Sequence, residues 1–75
     1  MITGKLIGEE LRALRNKKNF TIEYVAKELD IHPNTLTKYE KTADDCKVET
    51  FLKLLDFYET NELIFFKVIR DYNHI

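Results

Sequence analysis

The sequence predicts an all-α fold of five short helices with no strands, and three observations carry that expectation. Apolar residues recur at three- and four-residue spacing in short segments, as amphipathic helices require. Polar residues suited to helix ends punctuate those segments. Two Gly and one Pro among 75 residues are too few for a turn-rich β domain. With no repeat, low-complexity run or linker, residues 1–75 read as one small domain.

The first helix carries Leu6 or Ile7, Leu11 and Leu14 on one face, opposite Glu9, Glu10, Arg12 and Arg15. Lys17 and Lys18 suit its last turn, and Asn19 tolerates the left-handed conformation that ends it. Thr21 serves as the N-cap of a second helix, with Glu23 in its first turn and Val25, Ala26 and Leu29 facing inward. That helix must stop near Asp30, because His32 precedes Pro33 and is pushed out of the helical region. Pro33 suits the first position of a third helix, with Leu36 and Tyr39 inward and Asn34, Thr37, Lys38 and Lys41 outward. Residues 42–47 are polar and read as a loop. A fourth helix spans roughly Val48 to Tyr58, with Phe51, Leu54, Leu55 and Tyr58 as its stripe. Asn61, followed by Glu62, caps a fifth helix over about residues 61–72.

Composition excludes several kinds of chemistry. The chain has no Ser, so no serine nucleophile, and its single Cys46 excludes an intramolecular disulfide. Cys46 and two scattered histidines, His74 among them, fall short of the roughly four ligands at set spacing that a zinc site takes. No metal, cofactor or catalytic residue is therefore expected. No apolar run approaches the roughly 18 residues of a membrane span. The opening MITGKLIGEE lacks the apolar stretch of a signal peptide, which makes a cytoplasmic protein the expectation. Charge is uneven beneath a net of −1: residues 1–42 carry eight basic and six acidic side chains, residues 43–75 four and seven. A polyanionic partner would meet the first half.

Residues 21–41, TIEYVAKELDIHPNTLTKYEK, place two short helices around a turn of about four residues. This is the layout of a helix-turn-helix, and the small Ala26 suits a close helix crossing. A plain helical hairpin would give the same periodicity.

The longer stretch IGEELRALRNKKNFTIEYVAKELDIHPNTLTKYEK resembles the lambda-repressor-like (Cro/XRE) helix-turn-helix domain. The matching positions include Ile7-Gly8-Glu9, Leu11, Leu14-Arg15, Thr21, Glu23, Val25, Ala26, Leu29, Ile31, Thr35, Leu36 and Tyr39-Glu40-Lys41. They continue through Thr50, Leu52, Leu54 and Leu55, so the resemblance covers about residues 6–60. It implies a DNA-binding domain with its third helix in the major groove. The chain departs from the pattern at Ile22, where Gln is common, at Asp30 and Thr42, where Gly is usual, and near Cys46, where Pro is usual. Asp44 and Asp45 fall in a loop that the family brings near phosphates, and would oppose binding unless they point away.

On that resemblance Asn34, Thr37 and Lys38 are expected to contact bases: Asn pairs with adenine, Lys reaches guanine, and a Thr methyl meets thymine. His32, Thr35, Lys41, Lys17 and Lys18 are candidates for phosphate contacts that set register. Arg15 and Glu40 are implied to form an ion pair that ties the first helix to the third.

The fifth helix is apolar around most of its circumference. Leu63, Phe66 and Ile69 are expected on one line and Phe65, Val68 and Tyr72 on another, one facing the core and the other a partner. Leu63, Phe65, Phe66, Ile69 and Tyr72 are thus the candidate homodimer interface. The expected function is a dimeric regulator of transcription, a repressor acting on double-stranded DNA. With no segment left for an effector domain, a regulatory protein partner, abundance or proteolysis would control it. The alternative is the same fold used as a protein-interaction module, which the acidic second half favours.

Overall fold

Local cap chemistry sets the helix boundaries. In a computed structural model, which describes residues 1–73, α1 spans Gly4–Lys17, α2 Ile22–Glu28, α3 Pro33–Lys41, α4 Val48–Phe57 and α5 Glu62–Asn73. No strand forms among the described residues. Thr21 Oγ1 accepts the Tyr24 N–H at 3.0 Å, and Asn61 Oδ1 accepts the Ile64 N–H at 3.0 Å, so α2 and α5 start on side-chain caps. Thr3 does the same for α1 through the Leu6 N–H at 3.3 Å. At the other ends, Asn19, Asp30 and Glu59 take left-handed backbones with φ of 60°, 56° and 60°. Each lets the following N–H reach back into the helix: Phe20 to Arg15, Ile31 to Ala26 and Thr60 to Leu55, at 2.9–3.1 Å. None of the three is glycine, although that conformation is costly for L side chains.

Leu11 of α1, Val25 and Ala26 of α2, Leu36 of α3, Leu54 and Leu55 of α4, and Phe65 and Ile69 of α5 meet in one core, with Tyr58 closing it. The helices α1 and α3 cross closely at Gly8. A Cβ placed on Gly8 would lie 2.7 Å from the Tyr39 carbonyl oxygen and 2.9 Å from that of Glu40. Only glycine lets α3 sit this close.

The expected division of α5 into two lines is corrected. Phe65 and Ile69 are 1% and 2% exposed, so they lie on one buried face and not on opposite ones. Residues four apart on a helix differ by only about 40° around its axis, which is why these two travel together. Both leave the candidate dimer interface for the core. Phe66 packs half-buried against Phe51, with ring centroids 5.9 Å apart, while Leu63 and Tyr72 are each 81% exposed.

Candidate nucleic-acid interface

The third helix has two faces with different duties. Leu36, Tyr39 and Glu40 are buried against the rest of the domain, whereas Asn34, Thr37, Lys38 and Lys41 are exposed. At spacings of three and four residues these four make one polar stripe along the helix. Thr35 sits half-buried beside it.

Arg15 and Glu40 hold that stripe in place. Arg15 Nε donates to Glu40 Oε2 at 2.7 Å and Nη2 donates to Oε1 at 3.0 Å, a two-point contact that fixes rotation as well as distance. Arg15 Nη1 donates to the Phe20 carbonyl at 2.8 Å, so the same guanidinium also anchors the turn before α2. The hydrogen bond to Glu40 holds the Arg15 guanidinium above its ordinary pKa, against the opposing effect of burial. Tyr58 lies within their field. Burial first, and the Glu40 charge second, push its phenol well above the ordinary range, with Arg15 pulling the other way. Its hydroxyl has no hydrogen-bond partner among the described residues.

At the start of α3, His32 is the N-cap, and its Nδ1 accepts the Asn34 N–H at 3.0 Å. With Nδ1 accepting, the neutral ring carries its proton on Nε2, a donor on the exposed side of the helix start. At the other end, the two carboxylates of the α3–α4 loop part company. Asp44 lies over Gly4 at the beginning of α1, where the Ala43 N–H also donates to the Gly4 carbonyl at 2.9 Å. Asp45 instead approaches Lys38, Oδ2 to Nζ at 3.8 Å, with both side chains well exposed.

Lys17 and Lys18 are grouped with α5 and not with the α3 stripe. Both line a groove between α1 and α5, and Lys18 Nζ bonds Glu59 Oε1 at 3.1 Å. The α1 C-terminus carries them there because it abuts the turn between α4 and α5. Glu10 rims the same groove, and burial raises its carboxyl above the ordinary range, partly offset by Lys17. Across the molecule, Cys46 lines a small apolar cleft with Ile7, Val48, Phe51, Leu52 and Phe66, and burial pushes its thiol up.

Among the described residues no three His, Cys, Asp or Glu side chains converge as a metal site would need, and His74 lies outside those residues. No helix among them is long and apolar enough to cross a membrane.

Sequence reasoning overlooked Gly8 as the point where α1 crosses α3, although it stood within the Ile7-Gly8-Glu9 match. It also overlooked Asp45 as a neighbour of Lys38, which no local pattern signals. A family model described as a helix-turn-helix domain matches residues 6–63, from the first turns of α1 to the start of α5. Neither the curated proteins nor the solved structures gave a match.

Proposed function

Since the chain belongs to the helix-turn-helix domain family, which points to a DNA-binding regulator, we propose that it is a dimeric repressor reading a palindromic operator. The observation that carries this reading is the exposed stripe of Asn34, Thr37, Lys38 and Lys41 on a helix whose back is clamped by Arg15 and Glu40. A helix held at two points can present side chains to base edges without losing register. In this reading Asn34 and Lys38 pair with base edges and Thr37 meets a thymine methyl. His32 through Nε2, Thr35 and Lys41 take phosphates on either side.

A net charge of −1 argues for two copies. Affinity for any duplex comes mainly from neutralised phosphates, and one such domain supplies few. Two copies related by a two-fold axis double the contacts and place their α3 helices about 34 Å apart, one turn of the duplex. Bound there, the protein blocks access to the site it covers. It works in the cytoplasm, without metal, cofactor or catalytic step, and abundance, a protein partner or proteolysis regulates it.

A second reading is the helix-turn-helix used to bind protein, and one observation favours it: Asp45 puts a carboxylate beside the Lys38 ammonium. Selection of bound sequences from a random duplex pool separates the two. A palindromic consensus with half-site centres about 10 bp apart supports the repressor. No enrichment supports the interaction module.

A further inference from the structure

Resting on that dimer reading, we propose that the second copy docks over the apolar cleft beside Phe66, with the two α5 helices antiparallel about a two-fold axis at that residue. The cleft encloses about 310 Å³ between α1, the α3–α4 loop, α4 and α5. Val48 and Leu52 in its lining are 72% and 45% exposed, and Leu63, one turn before Phe66, is 81% exposed. The single copy leaves this apolar surface in water.

The layout of the helices fixes the axis. The start of α1 meets the end of α5, where Leu6 and Glu9 share a small pocket with Ile69 and Asn73. The end of α1 meets the turn before α5, through Lys18 and Glu59 at 3.1 Å. The two helices therefore run antiparallel, side by side. At about 100° per residue, Gly8 and Arg15 point from α1 toward α3, while Glu10, Ala13 and Lys17 point the opposite way, toward α5. Ile7 points into the cleft, about a quarter turn from both. The way out through the cleft thus runs at right angles to the line from α5 to α3. A two-fold axis along that line sets the second copy across the cleft and keeps both α3 stripes on one side, open to a single duplex. Because this axis is perpendicular to α5, it turns the two α5 helices antiparallel. Copies joined through the α1–α5 groove would instead hold their stripes on opposite outer faces.

Charge agrees with this register and identifies the occupant as a second copy. Glu62, Phe66 and Arg70 recur every four residues and make one stripe on α5, with about 12 Å of helix between the two charges. Both charged side chains are exposed, and neither joins an ion pair among the described residues. An antiparallel copy centred on Phe66 sets Glu62 against Arg70 of the partner subunit at both ends, with the two phenyl rings between. A parallel copy would set like charge on like. On α4, Glu49 and Lys53 already pair with each other at 3.6 Å, so setting the register falls to α5. An isologous contact of this kind closes on itself as a dimer and goes no further.

Sedimentation with circular dichroism tests the assignment on the wild type, Val48→Glu, Glu62→Arg, Arg70→Glu and the double variant Glu62→Arg/Arg70→Glu. The wild type is expected to sediment as a dimer at micromolar concentration. Val48→Glu and each single reversal should raise the dissociation constant at least about tenfold with helix content unchanged. The double variant exchanges the ends of each pair, so its dissociation constant should return to within about threefold of the wild type. Variants that all dimerise like the wild type would overturn the cleft assignment while leaving a dimer through another face. A double variant as weak as the single ones would overturn the antiparallel register. A wild type that is itself monomeric would remove the dimer reading and this inference together.

Discussion

Replacing Glu40 with Ala strips the Arg15 guanidinium of two oxygens that lie 2.7 Å from Nε and 3.0 Å from Nη2. The side chains are 12% and 6% exposed, so water reaches little of the charge left behind. Orphaning one member of a deeply buried pair costs about 3–5 kcal/mol. Here the bond from Nη1 to the Phe20 carbonyl survives and keeps part of the guanidinium satisfied, which puts Glu40→Ala at about 3 kcal/mol. Arg15→Ala should cost at least as much, because it also releases Phe20. The double mutant removes both charges, and its cost should fall short of the sum by about 1.5–3 kcal/mol. For a domain of this size each 1 kcal/mol moves Tm by about 4–8 °C, so either single change is visible in a melt. Urea unfolding of the four proteins at one fixed concentration gives the coupling directly. Additivity within about 0.5 kcal/mol would refute the idea that this pair clamps α3 as a unit.

Gly8→Ala should destabilise by about 1–3 kcal/mol, since its methyl must displace the Tyr39 and Glu40 carbonyls. An unchanged Tm would mean that α1 and α3 part without cost. Asp45→Asn frees Lys38 and should strengthen duplex binding by about two- to fivefold, the worth of an exposed ion pair. Unaltered affinity in titrations would dismiss Asp45 as a competitor. Phe65→Glu puts a carboxylate on a side chain that is 1% exposed and should abolish the helical signal in circular dichroism. A folded variant would return Phe65 to the surface.

Local rules carried the helices. Thr21, Asn61 and Pro33 act where short-range chemistry says they must, Asn19 takes the left-handed turn assigned to it, and the second helix stops at Asp30 as expected. Packing around α5 was less legible. Its apolar residues cover so much of the circumference that periodicity alone could not choose a face, and the facing helices decided that Phe65 and Ile69 go inward. Asp44 and Asp45 show the same limit at the loop. Adjacent residues with identical chemistry separate, one over Gly4 and one toward Lys38, because the chain path and not the composition orients them. Lys17 and Lys18 look like a basic pair for phosphate, yet the α1 C-terminus delivers them to α5. Neighbours in space leave no mark on local sequence.

A paired titration decides whether Lys38 reads a base while Lys41 holds phosphate. Binding of Lys38→Ala and Lys41→Ala is measured on the preferred duplex and on single-base variants of it, across a range of salt. Lys38→Ala is expected to lose about 1–3 kcal/mol on the preferred site and to relax preference at one position per half-site. Lys41→Ala should weaken all sequences alike and flatten the salt dependence by about one unit for each phosphate left without its ammonium. If Lys38→Ala lowers affinity equally on every sequence, Lys38 touches the backbone and the base-reading assignment of α3 is wrong.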